Sequence, residues 1–265
     1  MSLYINTNLS AMNAEANLVN TDNELSSAMQ KLSSGLRINS AADDAAGFTI
    51  SETLQGQVNG VGQAQQNAQD AVSLVQTADG SLSEVEQMLQ RIRELAVQYN
   101  NGTLDSTDQT AIQTEVDQLA SEIERIGATA QFNGIYLLNS AQTITFQVGA
   151  NDGEVVTVTT ISLGSSVGTF SLSASTAIAS IDAAINAVAG QDDTLGAVQD
   201  RLQYTMADLS TYEQNLTSAN SAIVDVDMAS EMTTFTNLQI LQQAGTAVLA
   251  QANHLPQSIL TLLQG

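Results

Sequence analysis

The sequence predicts a mainly α-helical chain: an elongated rod of long antiparallel helices packed as a coiled coil, with a small β-hairpin region. Three observations carry this expectation. Apolar residues recur every seven positions at both ends of the chain. The same alternating spacing of three and four continues between about residues 44 and 98, too far for a helix inside a compact domain. The period falls to two only between about residues 142 and 172.

At the front, Ala11, Leu18, Leu25 and Leu32 form one heptad row. The next helix carries Val58, Val61, Ala68, Val72, Val75, Leu82, Val85, Leu89, Ile92 and Ala96, with polar Gln65 and Asp79 at the two interrupted positions. At 1.5 Å per residue it would be roughly 80 Å long. Gly56, Gly60 and Gly62 each cost about 1 kcal/mol against Ala in a helix, so a bend, a break or a close backbone contact is expected there. NNGT at Asn100–Thr103 stops this helix, and STDQ at Ser106–Gln109 reads as a capping box. The helix that follows places Ile112, Val116, Leu119, Ile123 and Ile126 on one face and is expected to end at Phe132–Gly134. TITFQV, GANDG and EVVTVTT then predict a hairpin turning at Asp152–Gly153. Helical spacing returns from Ile178 and runs on through Leu195, Leu202, Leu209 and Leu216. At the back, Leu241, Val248, Leu255 and Leu262 repeat every seven residues, with Leu238, Gly245, Ala252 and Ile259 as the accompanying row. Each end is a helix that needs a partner, and the other end of the chain is the obvious one.

The 265 residues hold 28 acids against 6 bases, a net charge of -22. Phosphate binding needs clustered Lys and Arg, so nucleic acid is excluded as a partner, and so is a polybasic membrane anchor. With no Cys there are no disulfides or thiolate ligands, and a lone His254 builds no zinc site. Neither metal nor cofactor is expected. No apolar run is long enough to span a membrane, and the first residues lack the basic and apolar regions of a cleavable signal. The charge is unevenly placed: residues 1–40 sum to -1, residues 232–265 carry none, and the other -21 lies between them. The two ends are a neutral pair and the middle is the charged part.

SGLRINSAADDAAGFTISE (Ser34–Glu52), QTADGSLSEVEQMLQRIRELAVQ (Gln76–Gln98), QFNG (Gln131–Gly134), FQVGANDG (Phe146–Gly153) and VLAQANHLPQSILTLL near the end resemble bacterial flagellin, in the order that family has them. The resemblance spans roughly residues 1–150 and 195–265 and implies a short filament subunit without large variable outer domains. It implies three parts: residues 1–41 and 232–265 as paired inner-tube helices, and 42–231 as an outer helical shell with the hairpin. It also implies an extracellular homopolymer, with other flagellins as co-polymers. The implied partners are a flagellar export chaperone, the type III export apparatus, cap and junction proteins, and a host Toll-like receptor.

By the same resemblance, Leu18, Leu25, Leu32, Leu241, Val248, Leu255 and Leu262 form the inter-subunit seam. Gln90, Arg91, Leu95 and Glu115 match the stretch that contacts neighbouring subunits and that the receptor reads, and Asn151, Asp152 and Gly153 form a hairpin implicated in switching between filament packings. Serines and threonines between Ser162 and Thr176 read as solvated loop residues, and some members of the family carry O-glycans in such an outer region. The family commonly ends Leu-Leu-Arg; this chain ends Leu262, Leu263, Gln264, Gly265, without the final positive charge.

The alternative in the same superfamily is a hook–filament junction protein, against which VLAQAN and QRIRELAVQ speak. An exchangeable lipid-binding or chaperone-like helical protein fits the apolar faces but not the acidity. Asp43 and Asp44, about 100° apart on a helix with no His or Cys nearby, read as helix-start or loop residues rather than a catalytic pair. No nucleophile–base pair, metal set or phosphate loop is present, so an enzyme is not expected.

Overall fold

The computed structural model describes residues 7–167, 169–174 and 176–264, the side chains of 165, 166 and 255–264 excepted. The chain is mainly helical, with long helices packed antiparallel and two small two-stranded sheets, as the sequence predicts. Cα packing divides it into two compact units, Met1–Gly56 with Leu216–Gly265, and Gln57–Asn215.

In the terminal unit, α1 (Leu9–Ser34) opens after Asn8, whose side chain accepts from the Ala11 N–H at 3.1 Å. It closes on Gly35 at φ 75°, a left-handed cap that returns its N–H to the Lys31 carbonyl at 2.9 Å. A tight corner follows. The Asp43 carboxylate accepts from the Asn39 and Ser40 N–H groups and the Ser40 hydroxyl. Those bonds, the Asn39 N–H foremost, hold its pKa below the ordinary carboxylate value. Asp44 accepts from the Ala46 and Gly47 N–H groups at 3.1 and 3.0 Å and caps α2 (Ala45–Tyr99), the helix-start role expected of this pair. A Cβ at Gly47 would lie 2.5 Å from the Asp44 carboxylate and 2.6 Å from Ile38, so a side chain here would displace both.

α5 (Ala177–Val224) ends beside the same corner. The Arg37 N–H donates to the Val224 carbonyl at 2.6 Å, and the Val226 N–H to the Gly35 carbonyl at 3.0 Å. These bonds make a one-pair antiparallel bridge of Leu36 with Asp225. α6 (Met228–Gln264) follows, its first turn capped by the Asp227 carboxylate. α6 packs along α1, and three pairings give the direction. Asn8 reaches the Ala252 carbonyl at 2.8 Å, Leu18 lies against Gly245, and Gln242 bonds Asp22 at 2.7 Å. Partner numbers fall on one helix as they rise on the other, so the pair is antiparallel.

In the central unit one apolar core joins α2, α5 and α3 (Ser106–Thr129) to the strands. Val61, Ala68, Val75, Leu82, Val85, Leu89, Ile92 and Ala96 of the predicted α2 row are at most 1 % exposed. α5 answers with Ile181, Val188, Leu195 and Leu202, also at most 1 % exposed. The glycine-rich stretch does not break α2. Of its three glycines only Gly60 meets a close contact: a Cβ there would stand 3.0 Å from that of Ala150.

Two local expectations need correction. The cap of α3 is Asp105, not Ser106; its carboxylate accepts from the Thr107 and Asp108 N–H groups at 2.9 and 2.8 Å. A carboxylate is the better acceptor for the orphan N–H groups at a helix start. Phe132–Gly134 does not end α3, which stops at Thr129. It turns a miniature hairpin, β1 (Gln131–Phe132) with β2 (Ile135–Tyr136), through Asn133 and Gly134 at φ 48° and 81°. Asn-Gly is the pair that takes positive φ twice.

The predicted hairpin is β3 (Thr143–Gln147) paired with β4 (Val155–Thr159), Phe146 opposite Val156 and Ile144 opposite Val158. Its inward residues join the core. A single turn, α4 (Leu163–Ser166), then inserts the buried Leu163 against Gly127 of α3.

Candidate assembly surfaces

The paired terminal helices bury only a narrow stripe. On α1 the half-buried residues are Ala11, Ala14, Leu18, Thr21, Asp22, Leu25, Lys31 and Leu32, with Ala28 buried among them. Ala11, Leu18, Leu25 and Leu32 among them are the predicted heptad row. On α6 the stripe is Phe235, Leu238, Gln242, Gly245, Leu249 and Ala252. Leu238, Gly245 and Ala252 are the expected companion row. Leu241 and Val248 are not in the pairing within the chain: they are 56 % and 58 % exposed. Both rows repeat every seven residues, so the seam could continue from Leu238 by three (Leu241) or by four (Gln242). The second alternative is realised, and there the Gln242 amide donates to Asp22. Leu255 and Leu262 lie outside the described side chains.

Outside the stripe the terminal pair is mostly polar, but several large apolar side chains stand among the polar ones. Met12, Val19 and Met29 of α1 and Ile240, Leu241 and Val248 of α6 are each more than half exposed. Burying side chains of this kind stabilises by about 1.5–3 kcal/mol apiece. Within α6 the only charged residue is Glu231, in its first turn. The exposed apolar side chains offer packing to an apolar neighbour.

In the central unit, Arg91 of α2 bonds Glu115 of α3 through Nε at 3.1 Å and Nη2 at 2.9 Å, and Glu94 through Nη1 at 3.1 Å. Gln90 is exposed beside it, its amide 3.5 Å from Glu86. Leu95 is withdrawn from this surface set. It is 2 % exposed and belongs to the core, because α2 is covered by both α3 and α5 and its apolar face widens to include Leu95 with Ile92 and Ala96. The surface set is therefore Gln90, Arg91 and Glu115.

Asn151, Asp152 and Gly153 form the exposed tip of the β3–β4 hairpin, with Gly153 at φ 87°. Sequence reasoning missed the residue that organises the tip, Glu154. Its carboxylate accepts from the Asn151 N–H and side-chain amide, both at 3.0 Å. The Asn151 side chain first, then its N–H, lowers the Glu154 pKa below the ordinary value. Gly149 makes room for it: a Cβ there would stand 2.0 Å from the carboxylate. Gln147 spans the turn, its amide donating to the Gly149 and Asn151 carbonyls at 3.0 and 2.6 Å. A groove of about 500 Å³ lies between this hairpin and α5, lined by Glu154, Arg201, Asp208 and Tyr212 among others. Among the described residues no group of three or more His, Cys, Asp or Glu is arranged to hold a metal, and no helix is long and apolar enough to cross a membrane.

Residues 5–143 match the bacterial flagellin N-terminal helical region, and 178–263 the bacterial flagellin C-terminal helical region. The flagellin of Halalkalibacterium halodurans is 47 % identical over 99 % of this chain and all of its own length. The flagellin of Bacillus subtilis is 40 % identical, again over 99 % of this chain and its own full length. The crystal structure of Bacillus cereus flagellin superposes with a TM-score of 0.51 at 32 % identity, covering 58 % of this chain and 94 % of that one. Two long helical regions in the right order, flanking a short hairpin segment, place the chain in the bacterial flagellin family, the non-enzymatic structural subunits of the extracellular flagellar filament.

Proposed function

We propose that this flagellin polymerises by laying the exposed apolar rows of its terminal helix pair against those of neighbouring copies. The observation that carries the reading is the split of α6 into two apolar rows. The Leu238–Gly245–Ala252 row is covered by α1, and the Leu241–Val248 row is left to solvent. A soluble monomer gains nothing from the second row; a polymer does. In this reading residues 1–41 and 232–265 form the inner layer, with Leu18, Leu25 and Leu32 holding the pair together and Leu241, Val248, Leu255 and Leu262 at the contact between subunits. Residues 42–231 form the outer shell, where Gln90, Arg91 and Glu115 meet a neighbour and the tip at Asn151–Gly153 adjusts between row packings. Free monomer is read by an export chaperone and the type III export apparatus, and by a host Toll-like receptor at Arg91; cap and junction proteins bound the polymer. Arg91→Ala is expected to weaken receptor signalling, and unchanged signalling would remove that partner.

Negative-stain electron microscopy of the full chain and of a copy lacking residues 232–265, across rising ammonium sulfate, tests the polymer. Filaments are expected from the full chain alone. Filaments from both would place the contact elsewhere.

A further inference from the structure

We propose that Asn101 is a self-modifying site: attacked by the Gly102 amide nitrogen, it converts with time to aspartyl and isoaspartyl products. The reaction needs only water and base. It concerns the single chain, so it stands or falls independently of the polymer.

The chain contains three Asn-Gly pairs, at 59–60, 101–102 and 133–134. Glycine has no side chain to hinder approach to its nitrogen, so each pair is a chemical candidate. Folding gives them three different backbones. Asn59 and Gly60 lie inside α2. There the helical ladder commits the Gly60 N–H to a carbonyl one turn back and fixes ψ, so the nitrogen cannot swing onto Asn59 Cγ. Asn133 and Gly134 are the turn of the β1–β2 hairpin, at φ 48° and 81°, with Phe132 paired to Ile135 across its mouth. That pairing has to open before the backbone can rotate. Asn101 and Gly102 are exposed, in the connector from α2 to α3, and belong to neither a helix nor a strand.

The connector also shapes the attack. The Thr103 N–H donates to Asn101 Oδ1 at 3.4 Å. An Asn side chain bonded to the N–H two residues on curls over the peptide between them, which brings Cγ toward the Gly102 nitrogen. The same N–H polarises the side-chain carbonyl and faces the negative charge that develops on its oxygen during attack. Nothing blocks the approach: a Cβ built on Gly102 would meet no atom within 4 Å. Asn100 has neither advantage. Its amide donates to the Ala96 carbonyl at 3.0 Å, and the residue after it carries a side chain.

Base takes the Gly102 amide proton as the nitrogen bonds Asn101 Cγ. The Cγ–Nδ2 bond then breaks and ammonia leaves with a proton, closing a five-membered succinimide. Water adds to either ring carbonyl and cleaves its bond to nitrogen, giving the aspartyl or the isoaspartyl chain. In balance, one amide and one water become a carboxylate and an ammonium ion. The isoaspartyl form routes the main chain through Cβ and Cγ and turns the Asn101 main-chain carbonyl into a free carboxylate. That carbonyl accepts from the Leu104 N–H at 3.2 Å, and Leu104 packs against the central core. The product therefore disturbs the approach to α3 as well as adding a negative charge.

Incubation of the monomeric full chain at mildly alkaline pH, folded and in urea, tests the site. Peptide mapping by mass spectrometry follows the conversion, and enzymatic methylation of isoaspartyl residues identifies the product. In the folded chain Asn101 should convert about tenfold or more ahead of Asn133 and Asn59. In urea the three pairs should converge, because only folding separates them. Gly102→Ala fits the open space and a φ that is not positive. It should slow Asn101 about tenfold while leaving the circular dichroism unchanged. An Asn101 that keeps its amide while Asn133 or Asn59 converts overturns the proposal. So does an Asn101 that folding protects as strongly as the other two, or one whose rate Gly102→Ala leaves unchanged.

Discussion

The central and terminal units obey the same heptad rule and reach opposite degrees of burial. In the central unit α2 is covered by α5 and by α3 with the hairpin, and its seam side chains vanish from solvent. In the terminal unit α1 and α6 pair with each other; the one buried side chain of α1 is Ala28, and large apolar residues stand exposed on both helices. The difference is the number of helices available to cover each apolar row. A seven-residue repeat announces that a row must be covered. It does not say whether the cover comes from the same chain.

That contrast can be broken experimentally, most drastically at the exposed row. Leu241→Asp combined with Val248→Asp should abolish filaments under conditions where wild type forms them, while leaving the circular dichroism of the monomer unchanged. Loss of monomer helicity would mean that the row already has a cover within the chain. At the next scale, Leu89→Ala in the central core should cost about 2–5 kcal/mol of unfolding free energy, whereas Leu241→Ala in the monomer should stay within about 0.5 kcal/mol. Equal costs would erase the distinction between the units. Amide exchange sharpens it: α2 between Val72 and Ala96 should be protected in monomer and filament alike, and α6 should gain most of its protection on assembly. Asp105→Ala, removing the α3 cap, should cost about 1 kcal/mol in the central unit. The smallest effect is expected at the hairpin tip. Because the Glu154 pKa is lowered in the folded chain, its contribution is present above the ordinary carboxylate pKa of 4.5 and disappears as pH falls below it. Glu154→Gln should therefore lower the melting temperature slightly at pH 7 and not at all in strong acid.

The regular elements were legible in the sequence because periodicity reports them directly: α2, α5, the β3–β4 pairing and the antiparallel termini all follow from spacing. What was not legible depended on a choice between equivalent continuations or on contacts distant in sequence. Leu241 and Gln242 are equally good continuations of Leu238 until Asp22 and the smooth face at Gly245 are brought opposite. Leu95 reads as surface while α2 is imagined with one neighbour, and becomes core once α3 lies on its other side. The Asn133–Gly134 pair is visible in the sequence but reads as a helix stop, because strands of two residues carry no period. Glu154 was hidden for another reason. Its role depends on Gly149 five positions earlier leaving room for its carboxylate, a coincidence that no local pattern marks.

The bridge of Leu36 with Asp225 has a consequence for how the terminal pair recovers from fraying. Its two main-chain bonds join the chain just after α1 to the chain just before α6. They fix the zero point from which both helices run. If α1 and α6 peel apart from their far ends, each remains tethered at that origin, at an effective concentration far above that of any free copy. Re-pairing then proceeds outward from a pinned start, and a slip by one heptad, which the repeat alone would tolerate, would first have to open the bridge. Two hydrogen bonds thereby act as an alignment stop for a seam whose own side chains repeat too regularly to count their position.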